Sequence, residues 1–399
     1  MKVCFETFGC RLNKAEALQM EADYLAKGWE RTEKHSDADL FVVRGCSVTR
    51  RAQEECEDLI VHLRRRYPTK PIRICGCLEH KDQDPLLTAR VQHLTHPERT
   101  NALPTRTARA YLKVQDGCSG RCTFCIVPKF RGTSSSVPFD EVMDQARRFI
   151  DAGYREIVVT GCNLALYAAS GKRLPDLVVA LAGLSPDCRI RLGSVEPGNC
   201  ALETVRAMAK CPNVCRFLHI PVQSGSTLIL RAMNRPYRVK DIETLARTAT
   251  KLMPNLGLGC DLITGFPGES DLDFFETRTL LMRLPFSNVH VFPFSQRPGT
   301  KAATLPDQVP HDIRSARAHE LSAYMRQERQ RCAKVLVGST VEIVVEDEQR
   351  KSGWTGEYFR CHVLGSERVL RKSLVRVSVT KAEGDNLYGH ICQAPRLSA

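Results

Sequence analysis

Apolar and polar positions alternate in three different rhythms along the chain. From Met1 to about Asn101, the strand-like runs VCFETF, DLFVVR and PIRICG alternate with two amphipathic segments, Lys14 to Lys27 and Ala52 to Arg66. Strands separated by helix-length segments predict a small parallel α/β sheet, so residues 1–101 read as one α/β domain. Residues 95–110, THPERTNALPTRTARA, carry no period and read as a linker. Over 106–330 the strand–helix rhythm repeats six times, through YLKVQ, REIVVTG, RIRLGSVEP, RFLHIPVQSG, LGCDLITGFPGE and NVHVFPFSQR. Each of these strands ends in a polar or glycine-rich loop, the pattern of a (β/α)6 partial TIM-like barrel that gathers ligands at its C-terminal strand ends. From Cys332 to Ala399 the period shortens, and VEIVVED, EYFRCHVL, SLVRVSVT and NLYGHI predict a small antiparallel β-barrel.

Composition narrows the functional classes. The 399 residues, 43% of them hydrophobic, suffice for two or three cored domains. No apolar stretch approaches the length of a membrane span, which predicts no membrane partner. The start, MKVCFETFGC, places Glu6 where a signal peptide would be apolar, so the 18 cysteines are expected to be reduced thiols of a cytoplasmic protein. A net charge of +13 and a pI near 9.0 favour an acidic partner such as RNA over a merely basic solvated surface.

The chemistry concentrates in DGCSGRCTFCIVPKFRG, where Cys118, Cys122 and Cys125 offer three thiolates on one loop. Structural zinc closes its tetrahedron with four protein ligands, so a lone triplet points to a cubane iron–sulfur cluster with one open iron. A zinc loop with its fourth ligand elsewhere and a set of inert thiols are the alternatives. A second set appears at three strand ends as Gly9-Cys10, Gly45-Cys46 and Gly76-Cys77. In a parallel sheet these ends share one edge, so loops one residue beyond each strand would build another three-thiolate site. Three merely buried small side chains are the other reading. Cys75 is expected to face away from Cys77, Cys4 and Cys56 read as packing residues, and Cys162 reads as a pocket-lining residue.

In order and over nearly the whole chain, FETFGCRLN, VVRGCSVTRRA, ICGC, the CxxxCxxC loop, SVEP, HIPVQSGSTLILRAMNRPY, GFPGE and HVFPFSQRPGT resemble the radical S-adenosylmethionine (SAM) methylthiotransferases. The resemblance implies two 4Fe-4S clusters, one on Cys118, Cys122 and Cys125 that binds SAM and an auxiliary one on Cys10, Cys46 and Cys77. It also implies a C-terminal TRAM domain that grips RNA. One SAM would be cleaved to a radical that removes an unreactive hydrogen, and a second would methylate sulfur held at the auxiliary cluster. The implied partners are the anticodon stem-loop of tRNA and an electron donor such as flavodoxin.

For SAM, the reading selects Thr160, Gly161 and Asn163 near the methionine end, Ser194 and Glu196 near the ribose, and Gln223 with Arg235 for polar contacts. Gly265, with Gly268, either admits adenine or simply turns its loop. Arg50, Arg51, Arg64 to Arg66 with Tyr67, and Arg314, Arg317, Arg326, Arg329 and Arg331 either contact phosphates or line solvated helix faces. Trp354, Tyr358, Phe359 and Tyr388 either stack on bases or fill the small barrel's core. Within the resemblance, FETFGCRLN is most like the branch that acts on N6-threonylcarbamoyladenosine 3′ of the anticodon. The rivals are isopentenyladenosine, a ribosomal-protein side chain, and a non-enzymatic RNA binder. Arg44-Gly45 departs from the usual Asn-Thr, and Arg44 reads either as a cationic wall for the threonylcarbamoyl carboxylate or as the partner of a local acid.

Overall fold

The computed structural model describes residues 1–78, the backbone of 91–94, 102–198 and 200–392. The first unit is a five-stranded parallel sheet of β1 (Lys2–Thr7), β2 (Glu30–Arg31), β3 (Leu40–Cys46), β4 (Ile72–Cys77) and β5 (Val91–Leu94), in the order β2-β1-β3-β4-β5. Every residue of β3 is buried, as the central strand of a sheet covered on both faces must be. Helices α1 (Arg11–Ala26) and α2 (Arg50–Arg66) provide the cover. On one face Cys56, Ile60 and Leu63 of α2 pack on Phe41, Val43 and Ile74. On the other, Met20 of α1 packs on Val3, Leu40 and Val42. Of the expected linker, 95–101 lie outside the described residues, and its last residue, Ala110, already begins the next strand.

Six parallel strands follow in chain order: β6 (Ala110–Lys113), β7 (Glu156–Thr160), β8 (Arg189–Leu192), β9 (Phe217–Gln223), β10 (Gly257–Thr264) and β11 (Phe286–Pro293). The first three and last three form continuous ladders, joined by bridges from Ile190 to Val214 and from Ser194 to His219. Alternate residues such as Leu112, Ile157, Val159, Ile190, Leu218, Ile220 and Leu262 point outward into one core shared with the surrounding helices. The opposite set faces the lumen, and at its lower end that set is charged: Glu156, Arg189 and Arg191. This is the open (β/α)6 architecture expected from the sequence.

Helix α3 (His311–Val335) leads into a closed five-stranded barrel of β12 (Thr340–Asp347), β13 (Ser352–Thr355), β14 (Arg360–Val363), β15 (Leu374–Glu383) and β16 (Asn386–Ile391). Two details correct the sequence reading. Strand β13, SGWT, was not anticipated, because it is short and begins with serine and glycine. The barrel is also not wholly antiparallel, since β14 and β16 pair in parallel. Its valine-rich interior is closed by Phe359, which is buried and therefore cannot stack on a base. Among the described residues no helix is long and apolar enough to cross a membrane.

Candidate active site

The CxxxCxxC loop leaves the barrel just after Gln115–Asp116, a two-residue strand paired with Ser135–Ser136. Fully buried Gln115 organises the departure. Its Nε2 donates to the carbonyls of Asp116 (2.8 Å) and Gly117 (2.7 Å), while its Oε1 accepts from the Asn163 backbone N–H at 2.8 Å. A Cβ on Gly161 would come within 2.9 Å of that same Oε1, so glycine is required where this strand end passes Gln115.

The loop is then strapped to the segment after the short helix Thr227–Ala232. Thr123 N–H donates to the Met233 carbonyl at 3.0 Å, and Asn234 Nδ2 donates to the Arg121 carbonyl at 2.8 Å. Phe124 packs edge-on to Phe266, 6.4 Å between ring centres, within a cluster containing Met233 and Phe294. Those straps deliver Arg235, whose Nη1 donates to Cys122 Sγ at 2.9 Å and whose Nη2 pairs with Glu196. Asn163 Nδ2 donates to the other Glu196 oxygen at 2.8 Å.

Asn163, Glu196, Arg235 and Cys122 thus converge in loops beyond the strand ends. Thr160 and Gly161 adjoin this set through β7, and Ser194 lies at the bridge to β9. Gln223 ends β9 with a left-handed φ of +66°, a strained conformation for a residue with a side chain. Gly265 (φ +67°) contacts a different group: its N–H is bonded to Glu269 Oε1 at 2.8 Å, and the Arg314 stem packs on it.

The second thiolate set also converges, with one correction. Cys46 and Cys77 are not beyond their strands but are the last residues of β3 and β4, paired directly in register. Cys10 is the N-cap of α1. Gly9 (φ +90°) is indispensable to this geometry, because a Cβ there would lie 2.8 Å from Cys46 Sγ. Gly120 plays the matching part in the other loop, where a Cβ would lie 3.2 Å from Cys118 Sγ and 3.9 Å from Cys122 Sγ. Each triplet therefore has a bare space beside its sulfurs that a side chain would fill.

Among the described residues, the one group of three metal-ligating atoms within 4.8 Å of one another is Cys4, Glu6 and His35; neither triplet is that tight. Thiolates on one tetrahedral zinc, each about 2.3 Å from the metal, sit about 3.8 Å apart, so neither triplet stands at zinc spacing. Burial pushes the Cys46 and Cys125 thiols up to about 11, and it raises Cys77 against the opposing pull of Arg131.

Between the two sets lies a charge network that no local pattern in the sequence announces. Arg131, at the end of the helix Val127–Arg131, donates Nε–H to Cys77 Sγ at 2.9 Å. Its Nη1 meets Asp116 Oδ1 at 3.0 Å, and its Nη2 meets Asn13 Oδ1 at 2.7 Å and Glu16 Oε2 at 2.9 Å. Buried Glu16 also takes Arg44 and Lys113. Arg44 is therefore the partner of a local acid, 3% exposed, and not a wall open to a substrate carboxylate. Cys162 lies beside this network, its Sγ 3.6 Å from Asp116 Oδ1, and burial raises its thiol to about 12. Cys75 turns away from the triplet toward Met20 and Arg44. Residues two apart on a regular strand share a face, so its separation from Cys77 comes not from alternation but from Gly76, whose φ of +94° interrupts the strand between them.

Several residues read as RNA contacts are engaged elsewhere. Arg317 binds Glu269 and Asp271, Arg329 binds Asp385 and two carbonyls, and Arg331 pairs with Glu328. Arg64 is buried, and Arg50 and Arg51 each pair with a glutamate one turn along α2. Trp354 and Tyr358 stack on each other and Tyr358 on Phe217, with 4.8 Å between ring centres in each pair, inside the junction between the two barrels.

Comparison with known proteins places this arrangement. The Radical SAM superfamily model matches residues 112–281, and the model described as Uncharacterized protein family UPF0004 matches residues 2–95. The threonylcarbamoyladenosine tRNA methylthiotransferase MtaB of Bacillus subtilis is 30% identical, covering 95% of this chain and 94% of its own. This chain belongs to the radical SAM methylthiotransferase family. The MtaB of Thermotoga maritima is likewise 30% identical over 96% of this chain. A tRNA-2-methylthio-N(6)-dimethylallyladenosine synthase of Chlorobium limicola is 29% identical over 98%. In fold, the chain is similar to the radical SAM methyltransferase TsrM of Kitasatospora setae, with a TM-score of 0.54 over 76% of each chain at 14% identity. Family membership makes the chain an enzyme that uses SAM and a 4Fe-4S cluster.

Proposed function

We propose that this enzyme installs a methylthio group at C2 of N6-threonylcarbamoyladenosine, position 37 of tRNA. In this reading Cys118, Cys122 and Cys125 hold the SAM cluster, and Cys10, Cys46 and Cys77 within residues 1–101 hold an auxiliary cluster. The observation that carries it is Arg131, which joins Cys77 of one triplet to Asp116, two residues before the first cysteine of the other. One guanidinium that ties Cys77 to the base of the other cysteine loop suits a reaction that needs a radical at one site and sulfur at the other.

When bound, the clusters and SAM supply the radical and sulfur chemistry that side chains cannot. The chain's own residues bind and orient. Glu196, fixed by Asn163 and Arg235, is a carboxylate suited to sugar hydroxyls, and Thr160, Gly161, Ser194 and Gln223 shape the floor around it. Gly265 is the weaker member, since its contacts lie with Glu269 and Arg314. Arg235 donates to Cys122 Sγ and Arg131 to Cys77 Sγ, and such donors raise the potential of a ligated cluster. A donor such as flavodoxin supplies the electron, and the basic chain, net +13, meets tRNA in the cytoplasm.

Arg131→Gln is accordingly expected to lower the midpoint potential of the auxiliary cluster and to reduce methylthio product by about 10- to 100-fold. Redox titration followed by electron paramagnetic resonance reads the first effect. An unchanged potential would show that Arg131 only docks the two units together.

The substrate rests on FETFGCRLN, on HVFPFSQRPGT and on the relatives named MtaB; the relatives named for dimethylallyladenosine support the second reading. Mass spectrometry of tRNA nucleosides from a deletion strain decides between them. The expected result is unconverted threonylcarbamoyladenosine and no 2-methylthio derivative of it. Loss of the methylthio-isopentenyl nucleoside alone would overturn the substrate while leaving the enzyme class intact.

A further inference from the structure

The lumen holds a second polar group that none of the roles above uses. On β9, β10 and β11 the outward residues Ile220, Cys260, Leu262, Val289 and Val291 belong to the core, so His219, Asp261, His290 and Phe292 face inward. Asp261 and His290 are direct partners across the β10–β11 ladder, and Ile263 pairs with Phe292 one step higher. His219 Nε2 lies 3.1 Å from Asp261 Oδ2 and fixes that carboxylate. Gly259 makes the room, because a Cβ there would meet His219 Nδ1 at 2.9 Å and Phe217 at 2.7 Å.

The strip is open where a closed core would be expected. Phe292 is 40% exposed and its ring is nearly parallel to that of His290, at 8°. The Asp261 side chain retains 33% of its exposure. An exposed phenylalanine beside an accessible carboxylate, inside a barrel, is a poor arrangement for stability and a good one for a flat ligand that carries hydrogen-bond donors. The floor is Tyr358, and over its ring at 5.0 Å sits the guanidinium of Arg11. Arg11 directly follows Cys10, so this floor lies within the reach of one arginine side chain from the second cysteine triplet.

We propose that Asp261, His290 and Phe292 seat the substrate base. Phe292 and His290 stack on the adenine, Asp261 accepts from the N–H groups of its N6 substituent, and Arg11 pairs with a carboxylate on that substituent. The ligand chemistry is thus a purine whose N6 group carries both N–H donors and an acid. An alkyl group there would strip water from Asp261 and add no partner to the one that His219 supplies, at a desolvation cost. This inference rests on the threonylcarbamoyladenosine reading above and names the residues that enforce it.

The test uses the reconstituted full-length enzyme and anticodon stem-loops bearing threonylcarbamoyladenosine, isopentenyladenosine or unmodified adenosine. Asp261→Asn, His290→Gln and Phe292→Leu are compared with the native enzyme at matched iron content and circular dichroism. For Asp261→Asn and Phe292→Leu we expect kcat/KM on the threonylcarbamoyl stem-loop to fall about tenfold or more, mainly through KM, with lost discrimination among the three loops. Fluorescence anisotropy should show the same loss in binding. If the native enzyme converts the threonylcarbamoyl loop and all three variants keep its kcat/KM and discrimination, the seat is overturned and the substrate reading stands. If the native enzyme converts only the isopentenyl loop, the substrate reading and the acid-binding role fall together.

Discussion

Alanine at Cys118, Cys122 and Cys125 together is expected to abolish reductive cleavage of SAM, whereas alanine at Cys10, Cys46 and Cys77 together should leave cleavage and remove the methylthio product. The two triplets are built by different means. The first sits on one loop, strapped by Thr123 and Asn234 to the segment that carries Arg235. The second is assembled from the N-cap of α1 and the ends of β3 and β4, and no sequence segment is common to both. Removing either set should therefore halve the iron content without unfolding the other site. The measurements are iron and sulfide analysis, 5′-deoxyadenosine formed with dithionite as reductant, and methylthio nucleoside by mass spectrometry. Retention of both clusters in the Cys10/Cys46/Cys77 variant would sink the assignment and direct attention to Cys162, beside Asp116.

What the sequence made legible, and what it hid, follows the range of the interactions. Cys118, Cys122 and Cys125 are visible because their spacing is local. Cys10, Cys46 and Cys77 are visible because parallel strands bring their ends to one edge, so strand recognition alone brings them together. Glu196 and Asn163 stand at strand ends for the same reason. Arg131 has no such signal: its partners Glu16 and Cys77 are 115 and 54 residues away, and an arginine in KFRG looks like any surface cation. Arg44 was legible only as an oddity, and its answer, Glu16, lies 28 residues away on the facing helix. The arginines of α3, read as phosphate contacts or as a solvated face, were hard to place for the converse reason, since the acids that neutralise Arg317 and Arg329 come from other elements. In the C-terminal barrel, alternating valines announced four strands, but SGWT offers one large side chain, and that Trp354 is spent on the junction.

That junction supports the largest stability effect we expect. Glu156 is fully buried at the base of the lumen and binds Arg189 and Arg191 of the neighbouring strand, with Arg109 within 3.6 Å. The arginines in turn donate to the C-terminal barrel: Arg189 to the Glu342 carbonyl at 2.5 Å, Arg191 to the Thr355 carbonyl at 2.8 Å, and Arg109 to Glu346 at 2.8 Å. One carboxylate thus neutralises the cations that hold two barrels together. Glu156→Gln removes the charge and leaves Arg189 and Arg191 buried beside a neutral amide. Breaking such a buried set by deleting one member costs about 3 to 5 kcal/mol, against at most about 1 kcal/mol for the half-exposed Arg376–Glu342 pair nearby. Glu156→Gln should therefore lower the thermal midpoint by several degrees, and Glu342→Gln should barely move it. The pH dependence has a definite sign. Burial alone would raise the Glu156 carboxyl, but Arg191, Arg189 and Arg109 hold it well below its ordinary value of 4.5. A depressed folded-state value contributes stability above the unfolded value and loses it in acid. The difference in midpoint between the native protein and Glu156→Gln, measured on cluster-free protein, should stay constant from pH 7 down to about 5 and shrink as the pH falls further. A difference that grew in acid would mean that Glu156 is protonated in the folded protein, and the arginines would then need another counter-charge.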